Sequence, residues 1–176
     1  AEVLPASCTK RVAIEAGVPV ITPSYVSPEM EALHDRAVEK GVLVLNEIGL
    51  DPGIDHLSAK QVLDRIAGEG GEMLEFESYC GGLIAPDSDD NPWHYKFSWN
   101  PRNVVLAGQA GPATFLAGGS DRLVPPHRVF QNARTIEVGG TSFEGYPNRD
   151  SIMYVEKYGL DGIQTLVRGT LRGEGF

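Results

Sequence analysis

Basic residues are in short supply: 15 Lys and Arg stand against 24 Asp and Glu, a formal net charge of −9 with histidine neutral. A surface of that sign repels phosphate backbones, so nucleic acid is not an expected partner. No apolar run approaches the roughly 20 residues of a bilayer-spanning helix, so no membrane partner is expected either. The two cysteines, Cys8 and Cys80, are too few for a disulfide framework. No basic stretch followed by an apolar one opens the sequence, and with the cysteine usage this places the protein in the cytoplasm. No HExxH or comparable ligand spacing occurs, so no metal site is expected. Internal repeats, low-complexity tracts and long charge runs are absent. So is the GxGxxG phosphate fingerprint of a dinucleotide-binding sheet.

Aromatics are only 8% of the 176 residues, whereas glycine (21) and proline (12) are plentiful. That balance gives many tight loops, the usual carriers of binding sites. The length suits one domain or parts of two, ample for a packed core.

The opening stretch reads as α/β. Cys8 to Ala16 has a helical pattern that Gly17 ends, and Val18, Val20 and Ile21 follow as a short β-branched run. Ser27 before Pro28 places an N-cap ahead of a first-turn proline. The spacing of Met30, Leu33, Ala37 and Val38 predicts one helix ending at Gly41. Val42 to Leu45 then reads as a parallel strand buried on both faces. A second helix is predicted from Pro52 to Ala67, with Ile54, Leu57, Val62 and Ile66 toward a core. After it, Met73 to Cys80 alternates as a half-buried strand of a different sheet, with Leu74, Phe76, Ser78 and Cys80 on one face. Gly81 to Pro92 is a long loop. Asn100 and Pro101 open a helix through Leu106, with its far end near Gly108 undefined. Strands are expected around Arg122–Val124, Thr135–Val138 and Thr165–Arg172, and a short helix between Ser151 and Tyr158. The expected fold is therefore α/β: the end of a Rossmann-like parallel sheet in residues 1–53, then a mixed-sheet α/β domain in residues 54–176. The missing fingerprint and the lack of a closing element after Gly173 read as marks of a fragment.

Several stretches carry chemistry. In SYVSPEM (Ser24–Met30), Tyr25 sits at a strand end, where a phenol can bind a ligand or relay a proton; a structural, half-buried Tyr is the plainer reading. In GLDPGIDH (Gly49–His56), Asp51 can cap the helix that Pro52 opens, or face a ligand at the carboxyl ends of the strands. Cys80 in SYCGG (Ser78–Gly82) is either an inert thiol or a nucleophile. DNPWHYKFSW (Asp90–Trp99) concentrates His94, Tyr95, Lys96, Ser98 and both tryptophans, as core, dimer interface or ligand-facing wall. YPNRDS (Tyr146–Ser151) and VRGTLR (Val167–Arg172) supply Arg149, Arg168 and Arg172, either surface salt bridges or clamps for carboxylates. Alternation puts Arg168, Thr170 and Arg172 on one face.

SYVSPEM, NEIGLDPGIDHLSA, SYCGG, DNPWHYKFSW, EGYPNRDS and RGTLRGEGF, in this order, resemble the middle of saccharopine dehydrogenases of the L-glutamate-forming type, also called saccharopine reductases. The chain departs from that pattern at Pro23, Ile84 and Gly173. The resemblance implies an enzyme of lysine metabolism that binds NADP in a Rossmann domain and substrate in a second, dimer-forming domain. It acts on a C–N bond, interconverting saccharopine with L-glutamate and 2-aminoadipate 6-semialdehyde, and a fragment of it is not expected to be active alone. By that resemblance Pro23, Ser24, Leu50, Asp51, Pro52 and Ser98 line the NADP side. Ser24, Tyr25, Asp51, Arg149, Thr170, Leu171 and Arg172 face saccharopine. Tyr25 and Asp51 are the candidates for handling protons, with water as direct base the alternative. Two other readings stand beside this one: a relative acting on another carboxylated amine such as a polyamine precursor, and a binding module without catalysis.

Overall fold

The computed structural model describes residues 6–107 and 111–176. The chain forms two compact units, residues 1–60 and 61–176.

In the first unit, helix α1 (Ala6–Glu15) is closed by Gly17 at φ 71°. Its inward residue Ile14 packs with Ala37 and Val42, and with the partly buried Leu33 and Val44. Strands β1 (Val20–Ile21) and β2 (Val44–Leu45) pair in parallel, Val20 opposite Val44 and Ile21 opposite Leu45. Parallel pairing matches the expectation, but burial on both faces does not. Only two residue pairs form, and Ile21, Leu43 and Leu45 are exposed. The helix predicted between Ser27 and Gly41 is two helices, α2 (Pro28–Glu31) and α3 (His34–Lys40). The break falls where Leu33 turns into the core, its N–H tightening onto Met30 O. Gly41 ends α3 in the left-handed conformation, as its position implied.

Helix α4 (Ile54–Gly68) spans the boundary between the units. Its buried residue is Leu63, with Ala59 and Ile66 half-buried at helical spacing, while Ile54, Leu57 and Val62 are exposed. The inward stripe is thus rotated from the predicted one, which ranked residues by hydrophobicity and passed over a small alanine.

The second unit is a six-stranded mixed sheet. It contains β3 (Glu75–Cys80), β4 (Ala113–Ala117), β5 (Ser120–Val124), β6 (Arg134–Val138), β7 (Thr141–Pro147) and β8 (Thr165–Arg172), with helices α5 (Pro101–Ala107) and α6 (Tyr154–Tyr158). The residues beyond α5, at Gly108, lie outside the described ones. Asn100 caps α5, its Oδ1 accepting the N–H of Arg102 at 3.1 Å. Two-residue turns join β4 to β5 through Gly118–Gly119 and β6 to β7 through Gly139–Gly140. All four glycines have positive φ, the requirement of a type I′ hairpin. Strand β8 lies at the centre. One edge pairs in parallel with β3 from Glu75–Thr165 to Cys80–Thr170. The other is shared, antiparallel, by β4 at Leu166 and by β7 at Gly169–Arg172.

Strand β7 escapes a reading of the sequence because Gly145 and Pro147 interrupt it, and β4 is a five-residue stretch hemmed in by Gly111, Pro112 and Gly118. In β7 the reason for the glycine is visible. Tyr79 of β3 lays its ring across Gly169 of β8 and Gly145 of β7. A Cβ at those two positions would come within 2.4 Å and 2.9 Å of Tyr79 Cε1. Beyond the glycines the phenol meets Arg134 of β6, which donates to Tyr79 Oη (2.7 Å) and pairs with Glu77. One side chain therefore ties four strands together. On the opposite face Phe76 packs edge-on against Tyr158 (centroids 5.5 Å apart), and the Arg168 guanidinium lies 4.3 Å from the Tyr154 ring centre. The core of this unit includes Leu166, Val167, Ala113, Val124, Leu160 and Ile163.

Gly169→Ala is expected to cost about 1–3 kcal/mol, the scale of overpacking, and to lower the urea midpoint. Gly68→Ala, where a Cβ meets nothing within 4 Å, is the control and should be neutral or stabilising by up to about 1 kcal/mol. Equal midpoints for the two variants would refute the Tyr79 packing.

Candidate functional site

In the first unit the candidate residues gather where β1 and β2 end. Thr22 N–H bonds Leu45 O (2.9 Å), and Ile48 N–H bonds Thr22 O (3.1 Å), so the SYVSP and NEIGLDP segments leave the strands side by side. Across this join Tyr25 Oη donates to Asp51 Oδ1 at 2.6 Å. Ser24 lies beside them, its Oγ accepting from Thr22 Oγ1 at 3.0 Å. Pro23 packs on the following turn so closely that a Cβ at Gly49 would sit 2.8 Å from Pro23 Cβ. Leu50, Asp51 and Pro23 are exposed, whereas Pro52 is buried after a cis Asp51–Pro52 peptide bond.

The helix-capping reading of Asp51 is overturned. The helix starts at Ile54, and it is Asp55 whose Oδ1 accepts the Gly53 N–H (2.7 Å). With Pro52 and Gly53 between it and the helix, Asp51 meets the phenol. Ser27 does occupy an N-cap position with extended backbone, but its side chain makes no capping bond. Its carbonyl accepts from Met30 and Glu31 instead.

The sequence reading overlooked Lys10 in this unit. It is buried, and its Nζ donates to Asn46 Oδ1 and to Met30 Sδ (2.9 Å). Burial pushes its pKa below the ordinary lysine value.

In the second unit Cys80, Thr170 and Tyr146 stand in register across β3, β8 and β7, and Arg172 lies two residues beyond Thr170. Thr170 is buried and the Cys80 thiol half-buried. The Arg172 guanidinium lies 5.1 Å from the ring centres of both Tyr95 and Phe176, and its Nη1 donates to Leu171 O (3.2 Å). Its Nε is buried with no hydrogen-bond partner among the described residues. Phe130 extends the aromatic group from Phe176 to Tyr146. Burial raises the pKa of Tyr146 above the ordinary phenol value, with Arg172 and Thr170 opposing part of that rise.

Gly81 admits this arrangement, since a Cβ there would lie 1.9 Å from Leu171 O. The glycine that follows β3 thus lets the backbone meet the chain's own β8 closely. Ser98 is exposed, and its Oγ would lie 3.8 Å from a Cβ on Gly82. Gly173 packs on His94, whose Cβ would be 2.7 Å from a Cβ there, and His94 pairs with Asp89. Both tryptophans are exposed, which removes the core reading for them, whereas Tyr95 is half-buried on Arg172.

Arg149 sits in the turn after β7, exposed and at positive φ (53°). Its carbonyl accepts from Thr114 N–H (2.8 Å), so its backbone is held by β4. Its neighbour Asn148 bonds Arg168 O, four residues from Arg172 and therefore ~13 Å along the sheet at strand rise. The two arginines are spaced to meet separate groups rather than to clamp one.

Tyr146 was within a motif read from the sequence but was not singled out, and its register against Thr170 is a long-range property. Tyr95 was named there, but its contact with Arg172 is equally long-range. Among the described residues no group of three or more His, Cys, Asp or Glu is arranged to hold a metal ion, and no helix is long and apolar enough to cross a membrane.

These features define a mixed α/β protein, with polar groups at the ends of the parallel strands in the first unit and a mixed sheet carrying Arg172 in the second. The family model of the saccharopine dehydrogenase C-terminal domain matches residues 49–176, and the chain belongs to that family. It is 45% identical over 157 residues to a saccharopine dehydrogenase (NADP(+), L-glutamate-forming) of Pyricularia oryzae, covering 89% of this chain and 35% of that protein. It is 42% identical to the enzyme of the same name from Saccharomyces cerevisiae, covering 93% of this chain and 37% of the relative. The mitochondrial alpha-aminoadipic semialdehyde synthase of Mus musculus is also 42% identical, with 93% of this chain and 18% of that protein covered. The structure of apo saccharopine dehydrogenase (L-Glu forming) from S. cerevisiae superposes with a TM-score of 0.85 at 40% identity, over 99% of this chain and 40% of that one. The chain thus spans little more than a third of the length of its fungal relatives.

Tyr79 and Tyr146 both have phenol pKa values raised by burial. The folded chain then holds these protons more tightly than the unfolded chain. Stability is fully present below the ordinary phenol value and falls as pH rises from about 10 toward the folded values. Urea midpoints measured between pH ~9 and ~11 should drop, and less steeply in Tyr146→Phe. Parallel curves for the two proteins would contradict the burial of Tyr146.

Proposed function

We propose that this chain is part of an NADP-dependent oxidoreductase that interconverts saccharopine with L-glutamate and 2-aminoadipate 6-semialdehyde. The observation that carries the reading is the Tyr25–Asp51 hydrogen bond at the carboxyl ends of a parallel strand pair. It places a coupled proton donor and acceptor where such sheets bind ligands. Relatives whose names state this activity, at 42–45% identity, support the assignment.

The residues proposed for the cofactor suit a nicotinamide. Pro23 and Leu50 offer exposed apolar surface beside the Ser24 hydroxyl and the Asp51 carboxylate at one strand end, with Pro52 holding the turn. Ser98 is proposed for the cofactor on the resemblance alone. The nicotinamide, when bound, accepts the hydride.

The chain's own residues do the rest. Oxidation removes a hydride from the carbon bearing the bridging amine, whose nitrogen lone pair forms the imine. Water adds to that imine and the C–N bond breaks, releasing glutamate and the semialdehyde. The amine must first give up a proton. Because Tyr25 donates its own hydrogen to Asp51, the phenol oxygen presents lone pairs that can accept the amine proton while its own passes to Asp51. The same pair can orient the water that attacks the imine.

Saccharopine carries three carboxylates, and Arg149 and Arg172 are the proposed anchors for two of them. Their spacing suits an extended substrate. The buried Nε of Arg172 is a charged donor left for an acceptor outside the described residues. Thr170 and Leu171 line the same strand end. We place residues 1–53 in the NADP-binding domain and residues 54–176 in the substrate domain. The parent protein is read as a cytoplasmic homodimer, by resemblance to its family.

The test is nicotinamide absorbance on mixing the full-length protein with saccharopine and NADP+, with NAD+ and a carboxylated polyamine run in parallel. Reduction is expected only with saccharopine, and faster with NADP+. Arg149→Ala and Arg172→Ala should each weaken saccharopine binding by ~1.5–3 kcal/mol, the scale of a charged hydrogen bond. Unchanged Michaelis constants in both variants would remove the arginines from the site. Turnover with the polyamine alone would move the substrate assignment.

A further inference from the structure

The Tyr25–Asp51 contact joins residues 26 apart in the chain, so something must hold the Tyr25 segment in place. We propose that Glu47 is the positioning residue of this pair. Glu47 is one of three non-glycine residues with positive φ among the described residues, at 57°. That conformation is uncommon for a side chain without Asn or Asp chemistry and persists where surrounding contacts over-determine it.

The contacts here fall on both sides of Tyr25. The Glu47 N–H donates to Ser24 O at 3.1 Å, and Glu47 Oε1 accepts the Val26 N–H at 3.1 Å. One residue thus grips the peptide units before and after the tyrosine. The grip is charge-assisted at Val26, where a carboxylate replaces the partner that a β-ladder would otherwise give that amide. Glu47 also opens the turn that carries Asp51, four residues on. A shift of Glu47 therefore moves the phenol relative to the carboxylate it serves, and a displacement of about 1 Å in such a pair is catalytically expensive. No other side chain among the described residues is bonded to the backbone of Val26.

The inference deepens the proton-handling reading of Tyr25 and Asp51, and its test separates the two. The full-length protein is labelled with 13C at tyrosine Cζ, and Tyr25→Phe assigns the Tyr25 resonance. Glu47→Gln keeps an acceptor oxygen for Val26. Glu47→Gly keeps the left-handed backbone and loses the acceptor; Glu47→Asn, which also tolerates that backbone but is shorter, replaces it if the glycine variant does not fold.

In Glu47→Gln the Tyr25 resonance and kcat should stay within error and within ~2-fold respectively. In Glu47→Gly the Tyr25 resonance should move toward that of solvent-exposed tyrosine while the Tyr146 resonance stays put. There kcat should fall ~10–100-fold, with the saccharopine KM within ~2-fold. An unmoved Tyr25 resonance in Glu47→Gly overturns the positioning role, whatever the activity. So does a common shift of all tyrosine resonances, the mark of a merely structural residue. A Tyr25 resonance that moves while kcat is unchanged upholds the positioning role and overturns the proton-handling reading instead.

Discussion

Strand β8 has two edges and three neighbours, and the second unit depends on how it divides them. The edge facing β3 is used along six residues in parallel register. The opposite edge is split, with β4 at Leu166 and β7 from Gly169 onward. Such a split leaves the amides between the two neighbours without a strand partner. Ser151 takes one of them, its Oγ accepting the Arg168 N–H at 2.9 Å while lying fully buried. A serine hydroxyl standing in for a β-ladder partner explains a buried polar residue that is otherwise costly. It also places the turn bearing Arg149 against β8. The arginine's backbone is then fixed from the other side by Thr114.

The same strand fixes the other arginine. Register alone puts Arg172 opposite Glu144 and Thr170 opposite Tyr146. Tyr79 holds this end of the sheet from one face by spanning two glycines, and the aromatic group of Tyr95, Phe130, Tyr146 and Phe176 holds it from the other. A guanidinium set against two neighbouring rings has part of its apolar surface covered, and its orientation is restricted. Rigidity of this kind lowers the ordering cost of binding an anion.

Much of this was legible in the sequence where one period ran uninterrupted. Thr165–Arg172 sets Arg168, Thr170 and Arg172 at alternate positions, and its bounds match the strand to the residue. Met73–Cys80 gave β3 for the same reason. Where a long-range contact overrides the local pattern, the reading failed. Strand β7 contains Gly145 because Tyr79 needs its bare backbone, and a glycine within TSFEGYP reads locally as a break. Leu33 fits a continuous helical stripe, yet its place in the core bends the chain into two helices. Asp51 before Pro52 has every local mark of a helix cap. Its phenol partner is 26 residues away, and the helix starts only at Ile54.

The candidate residues of the two units, each taken by itself, are braced in different ways. Arg172 is held by the register of its sheet, and Arg149 by a turn whose backbone is bonded to β4 and β8. The Tyr25–Asp51 pair has no such sheet. Strands β1 and β2 contribute only two residues each, and the pair lies beyond their ends. Proton transfer depends more steeply on distance than charge attraction does. The first unit therefore has to supply precision without a ladder, and it does so through single contacts. Glu47 grips the backbone around Tyr25, Lys10 reaches Asn46 at the start of the following segment, and Gly49 lies tight against Pro23. The first and last join the two segments that leave the strands, Lys10 ties α1 to the second of them, and none is visible in hydrophobic periodicity. The residues easiest to name from the sequence were those that would touch a ligand, while those that aim them were hidden in the fold.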